Sequence, residues 1–354
     1  MKVLLAYRPG ELRIAEMEKP TPGPGQILAK VHHCGICATD VAIADGTLTL
    51  GEGMNPIYPV RIGHEWSGVV VETGSGTRRL KVGDRVISDT GYSCGECEPC
   101  LEGEYQSCEN GRPIGTTGNC WPGAFAEYML MPERLTFRVP DNVPLDEAAL
   151  VEPASIGLYG LTRAHIGPGM NMLVAGTGPI GLGGMACAKG MGIGKVILAG
   201  RKEKKLAVGK EMGADILVNT TEENLKEVVM RETGGRGMDV ILDTTGSVEL
   251  INDLLDMLRP SGSIVIPGFY EREVPNVRLD SLVAKNCTMI GAAGTPNMGR
   301  KILDMLSNRH VSLQPMITER YPFERVMEGF AAMKAHNDRR IKIMIDFPCE
   351  GGGE

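Results

Sequence analysis

The amino-acid sequence predicts an α/β protein of two domains, one mainly β with irregular connections and one a doubly wound parallel sheet. Three observations carry this reading. A chain of 354 residues exceeds one ordinary core, at roughly 100–200 residues per domain. Up to about residue 150, short apolar runs at 26–31, 67–71 and 85–88 alternate with glycine- and proline-rich turns. From about Gly157 the rhythm changes, and apolar strand-like runs at 172–175, 196–199, 216–218, 240–242, 264–266 and 288–290 alternate with helical stretches such as 204–212 and 222–232. Buried strands joined by crossover helices form parallel sheets.

The segment after about Ala293 is helix-rich and ends in a strand-like run at 341–345. It is too short to hold a core alone and is expected to pack onto the first domain. The boundaries expected are therefore 1–156 with 293–354 for one domain and 157–292 for the other. No internal repeat or low-complexity linker interrupts them.

Composition narrows the partners. A net charge of -7 argues against nucleic acid or an anionic membrane. Arg8 and Glu11 break the apolar start that a secretory signal needs. The uncharged stretch 166–188 reaches the length of a membrane span, but its glycines and prolines fit a strand, tight turn and helix start better. A cytoplasmic location without a membrane segment is expected. In such a chain ten cysteines point to metal ligation more than to disulfides.

Gly176-Thr177-Gly178-Pro179-Ile180-Gly181 follows the first strand of the second domain and opens a helix. Gly176 allows the turn, Gly178 lets the backbone approach a pyrophosphate, and Gly181 permits close helix–strand packing. The helix N-terminus adds free N–H groups and partial positive charge. A dinucleotide site is expected here. In NAD proteins an acid closes the second strand to hold the ribose hydroxyls; this chain has Gly200-Arg201-Lys202 instead. A carboxylate repels a 2′-phosphate and a guanidinium grips it, so NADP(H) is expected over NAD(H). The alternative is that Arg201 and Lys202 simply begin a solvated helix.

Cys94, Cys97, Cys100 and Cys108 offer four thiolates in one compact lobe. This suits a closed tetrahedral structural zinc, although an iron–sulfur cluster shares such spacing. A second group is dispersed, with Cys34 and Cys37 in one knuckle and His64-Glu65 in another. Gly68 stands where a zincin helix would carry its second histidine.

Taken together these motifs resemble the zinc-containing medium-chain dehydrogenase/reductase family, in the polyol branch that includes sorbitol, threonine and galactitol-phosphate dehydrogenases. The resemblance covers essentially the whole chain. It runs from 20–31 through Gly63-His64-Glu65, Val82-Gly83-Asp84-Arg85-Val86 and the cysteine lobe. It continues through Glu152-Pro153 and the glycine turn to the closing segment 341–346. The resemblance implies a GroES-like catalytic domain beside a Rossmann domain, with two zinc ions per chain. Cys37, His64, Glu65 and Glu152 would serve the catalytic zinc, with Pro153 at the place of a second cysteine. The cofactor would meet Gly176, Gly178, Pro179, Ile180, Gly181, Gly200, Arg201, Lys202 and Thr245. Zinc would act as a Lewis acid on the substrate oxygen, and hydride would pass to the nicotinamide.

Thr39 matches the residue that passes on the substrate proton. The histidine that often follows three residues later is Ala42 here. The relay then ends either on water and ribose hydroxyls or on a substitute such as His33. Trp121, in a long connection 117–123, either lines the pocket or caps the core. Tyr270, Glu271 and Arg272 read as a solvated loop, with a place near the cofactor or a subunit contact as alternatives. Cys120, Cys187, Cys287 and Cys349 read as inert.

The expected activity is hydride transfer between a secondary alcohol of polyol, cyclitol or sugar type and NADP(H). The alternatives are an NAD-dependent L-threonine or simple secondary-alcohol dehydrogenase, and a non-catalytic cofactor-binding member. Zinc-free quinone reductases of the superfamily lack both cysteine sets. The expected partners are a small-molecule substrate and further copies of the chain, as a homodimer or homotetramer.

Overall fold

The computed structural model describes residues 1–48, 55–270 and 276–348; Glu271, Arg272 and Cys349 lie outside these. The first unit opens with β1 (Lys2–Arg8), β2 (Glu11–Glu16), β3 (Gln26–Ile36) and the short helix α1 (Ala38–Asp45). β4 (Val60–Arg61), β5 (Glu65–Thr73) and β6 (Arg85–Ser88) follow. β7 (Gly91–Tyr92), the one-turn α2 (Glu98–Leu101) and β8 (Arg112–Pro113) frame the cysteine lobe, and β9 (Tyr128–Pro132) and β10 (Thr136–Arg138) close the unit.

β3 is its centre, pairing with β5 on one side and also with β9. β3 is buried at consecutive positions, Ile27 to Ala29 and Cys34 to Ile36, so residues on both of its faces are covered and its apolar residues do not simply alternate. Each Val, Ile or Leu so covered contributes about 1.5–3 kcal/mol.

Two helices, α3 (Leu145–Ala149) and α4 (Val151–Arg163), lead to the second unit. Pro153 sits in the first turn of α4, where its missing N–H costs no helix bond. The parallel sheet comprises β11 (Met172–Ala175), β12 (Val196–Gly200), β13 (Ile216–Asn219), β14 (Met238–Asp243), β15 (Leu258–Ile266) and β16 (Thr288–Gly291). Between them run α5 (Pro179–Gly190), α6 (Glu203–Glu211), α7 (Leu225–Thr233), α8 (Ile251–Met257) and α9 (Leu279–Lys285). The strand order is β13-β12-β11-β14-β15-β16, with every pair parallel. The order reverses at β11, the strand that carries the glycine turn.

The chain ends with α10 (Met298–Ser307), β17 (Ile317–Pro322), α11 (Val326–Lys334) and β18 (Lys342–Asp346). β18 pairs antiparallel with β3, which joins the last strand to the sheet of the first unit, while α10 packs against α4 and α5. The stretch 166–188 forms β11 and α5, and among the described residues no helix is long and apolar enough to cross a membrane.

Candidate active site

The site is built where β3 runs out. Pairing with β5 sets Gly35 opposite Glu65, and pairing with β18 sets Gly35 opposite Met344. Cys37 caps the N-terminus of α1, and Asp40 in the first turn accepts its backbone N–H at 2.9 Å. The other Asp40 oxygen accepts Gly63 N–H at 3.0 Å. This single buried carboxylate therefore joins the two knuckles that hold Cys37 and His64.

The thiol of Cys37, a ring nitrogen of His64 and a carboxylate oxygen of Glu65 all lie within 4.8 Å of one another. Soft sulfur, imidazole and carboxylate form a donor set suited to zinc. His64 Nδ1 is buried, has no hydrogen-bond partner and lies 3.6 Å from Asp40 Oδ1. Burial disfavours the imidazolium, but Asp40, Cys37 and Glu152 together outweigh it and hold the His64 pKa well above its ordinary value. Such concentrated negative charge around one histidine also favours a cation.

Glu152 lies in the first turn of α4, outside the tight group of three. Burial pushes its carboxyl up to about 7, against the pull of the His64 charge, and Glu65 pushes the same way. Thr39 begins α1 half-buried, and its hydroxyl engages no described residue. His33 is committed elsewhere, with Nδ1 2.8 Å from Asp346 Oδ1.

Two participants escape sequence reasoning. Lys342 is 3% exposed and its ammonium donates to both oxygens of Glu65 at 2.6 Å and to Ile36 O at 3.0 Å. Gly35 makes room for this pair, since a Cβ there would collide with Glu65 Oε2. Burial lowers the Lys342 pKa, yet the charges of Glu65 and Cys37 raise it above the ordinary value. Asp40 is the other. The only advance signal for Lys342 was a lysine inside an apolar terminal strand, and for Asp40 an acid three residues after Cys37.

Cys94, Cys97, Cys100 and Cys108 come together as their spacing predicts, with Cys94 Sγ 4.0 Å from Cys100 Sγ and Cys97 Sγ 3.8 Å from Cys108 Sγ. A tetrahedron with metal–sulfur bonds of about 2.3 Å has sulfur–sulfur edges of about 3.8 Å. Backbone N–H groups of Glu96 and Cys97 lower the Cys94 thiol to about 6, as a thiolate ligand requires. Trp121 stands beside this lobe, stacked on Tyr92 at 4.9 Å with Nε1 donating to Leu130 O, and packs on the core of the first unit. Cys187 is buried and raised to about 12, as an inert thiol should be.

In the second unit Gly178 caps α5 and Pro179 follows at its first position, with Ile180 and Gly181 in the same turn. Gly176 has φ +111°, and a Cβ there would lie 2.5 Å from Thr244 Oγ1. Gly200 ends β12, where a Cβ would meet Thr177 Cγ2 at 2.6 Å. Arg201 is exposed, whereas Lys202 is engaged by Asp338 at 2.6 Å. Half-buried Lys205 joins them, its pKa lowered by burial and by the Arg340 charge. Thr245 donates its hydroxyl and its N–H to Asp243 Oδ1 at 2.7 and 3.0 Å.

Comparison with known proteins agrees with this arrangement. Residues 23–141 match the alcohol dehydrogenase GroES-like domain and residues 179–308 the zinc-binding dehydrogenase family. The chain is 32% identical to D-arabitol-phosphate dehydrogenase of Enterococcus avium, covering 98% of this chain and 97% of that protein. It is 31% identical to L-threonine 3-dehydrogenase of Pyrococcus horikoshii, covering 98% and 99%. A Sinorhizobium meliloti protein described as a zinc-binding dehydrogenase and solved with NADP superposes with a TM-score of 0.89 at 27% identity, over 98% of each chain. The chain belongs to the zinc-binding, medium-chain alcohol dehydrogenase family.

Proposed function

We propose that the chain is a zinc-dependent dehydrogenase that transfers hydride between a secondary alcohol of polyol, cyclitol or sugar type and NADP(H). The observation that carries this is the convergence of Cys37 with the adjacent pair His64 and Glu65 within 4.8 Å, from two places in the sequence. Zinc held there supplies a Lewis acid for the substrate oxygen, and the nicotinamide supplies the hydride acceptor.

The chain's own residues do the rest. Asp40 fixes the spacing of the two knuckles and faces His64 Nδ1, which leaves the other ring nitrogen as ligand. Lys342 holds Glu65 and supports its charge in a buried place. Thr39 takes the proton of the substrate hydroxyl. Beyond Thr39, Ala42 supplies no base, and His33 is held by Asp346, which favours an outlet through water and the ribose hydroxyls. Glu152, whose carboxyl burial raises to about 7, suits a hydrogen-bonding role beside the metal group. The second zinc would sit among the four lobe thiols and hold that lobe in shape.

For the cofactor, Arg201 and Lys205 supply positive charge near the end of β12 suited to a 2′-phosphate, whereas Arg340 is paired with Glu319 at 2.9 Å. Lys202 contributes less there because Asp338 partly neutralises it. Binding of NADH at least as tight as NADPH would remove the basis for this preference. The identity to D-arabitol-phosphate dehydrogenase supports a polyhydroxylated substrate. The similar identity to L-threonine 3-dehydrogenase supports the second reading, an NAD-dependent L-threonine dehydrogenase on the same metal group. A cytoplasmic location and the domain division at 1–156 with 293–354 and 157–292 complete the proposal.

The test is metal analysis of the purified protein. Two zinc ions per chain are expected, falling to one in Cys37→Ala and to one in Cys100→Ser. A single zinc that Cys37→Ala leaves in place contradicts the catalytic metal.

A further inference from the structure

The carboxyl ends of β11, β14 and β15 form one continuous rim. Asp243 ends β14 in register with Ala175, the residue before the glycine turn. Thr244 donates its hydroxyl to Ala175 O at 3.0 Å, so the turn after β14 lies against the glycine turn. On its other side, a Cβ on Gly246 would lie 3.3 Å from Phe269 O. The segment that leaves β15 therefore touches the turn that leaves β14.

Asp243 is 1% exposed and, among the described residues, its hydrogen-bond donors are Thr245 and Tyr270 and include no cation. A buried carboxylate needs donors, and it has three: Thr245 N–H and hydroxyl on Oδ1, and the Tyr270 hydroxyl on Oδ2 at 2.6 Å. The Tyr270 bond crosses from the segment after β15 to the end of the neighbouring strand. Burial and the Asp243 charge raise the phenol pKa, so Tyr270 remains a donor at all physiological pH. Next to it Phe269 holds its ring 59% exposed at the same edge.

The strand order says which part of a dinucleotide meets this rim. The pyrophosphate belongs at the glycine turn of β11, and the adenosine ribose at the end of β12, on one side of it. The other half must extend over β14 and β15, on the opposite side. We propose that Tyr270, tied to Asp243, is a positioning residue for the nicotinamide half of the cofactor, holding the 267–270 segment at the height on which that half rests. This rests on the reading that the chain binds a nicotinamide dinucleotide.

The experiment compares wild type and Tyr270→Phe in fluorescence titrations with NADPH and NADH, and with the matching fragments lacking nicotinamide, 2′-phospho-ADP-ribose and ADP-ribose. Losing one charge-assisted hydrogen bond should weaken the preferred dinucleotide about tenfold while leaving its fragment within about twofold. In turnover, the cofactor KM should rise by a similar factor with kcat changed less. Equal weakening of dinucleotide and fragment would mark Tyr270 as merely structural, and unchanged dinucleotide affinity would overturn the proposal outright. Asp243→Asn, which keeps an acceptor, should fall between wild type and Tyr270→Phe; an Asn variant weaker than Phe contradicts the assignment. A wild type that binds no dinucleotide refutes the underlying cofactor reading instead.

Discussion

Lys342 shows how a single residue can govern a site from outside its motifs. Its partner Glu65 lies 277 positions away in sequence, and the pairing of both β18 and β5 with β3 brings the two together. No local spacing encodes that. The cysteine lobe is the opposite case, since its four thiols lie close in sequence and their spacing predicts one compact metal-binding lobe. His64 lies between these extremes: alone it reads as an ordinary polar residue, and it gains meaning only beside Cys37. Because the Lys342–Glu65 pair is buried, removing one partner strands the other charge. Lys342→Met should therefore cost about 3–5 kcal/mol in denaturant unfolding. A loss below about 1 kcal/mol would mean that Glu65 finds another cation or gains a proton.

Among the elements, the strands of the parallel sheet were legible because each is a short apolar run between turns, and the central β11, β12 and β14 are buried on both faces. α4 was not. Its Glu152-Pro153 start resembles a motif more than a helix, and its helical character depends on packing against α5 and α10. The joint between β6 and the start of α10 was equally hidden. Thr90 and Thr295 share a hydrogen bond of 2.7 Å there, and Asp89, which follows β6, faces the backbone N–H of Asn297. Burial raises the Asp89 pKa to about 7, and the Asn297 N–H only partly offsets this.

A carboxyl whose folded pKa exceeds its unfolded value binds more protons when folded. Its contribution to stability is thus present at low pH, declines as pH rises from about 4 to about 7, and is flat above. Between pH 5 and pH 8 this group should cost the fold about 1–3 kcal/mol. Asp89→Asn should remove that component, leaving a variant more stable than wild type at pH 8 and closer to it at pH 5. Denaturation midpoints at the two pH values check this. An unchanged difference between them would place Asp89 in contact with water.

For the molecule as a whole, two domains and the return of the C-terminal segment were readable from the change of rhythm near Gly157 and from the size of the last segment. Assembly was not readable from spacing. β16 is one of the two outer strands of the parallel sheet and is largely exposed. Beside it α9 buries none of its residues, and Val283 is 75% exposed. An unprotected edge strand next to apolar side chains invites pairing with another copy. Light scattering should therefore report a dimer or tetramer at micromolar concentration, and Val283→Glu should shift it toward smaller species. A wild type that is monomeric throughout would leave this edge without a role.

The central claim is the reaction, and the most direct measurement is nicotinamide absorbance with the zinc-loaded protein. Polyols, inositols, sugar phosphates, L-threonine and simple secondary alcohols would be crossed with NADP+ and NAD+. Turnover of a polyhydroxylated secondary alcohol is expected, faster with NADP+ than with NAD+. Turnover of L-threonine alone with NAD+ would favour the second reading. No turnover of any alcohol, with both zinc ions bound, would contradict the account.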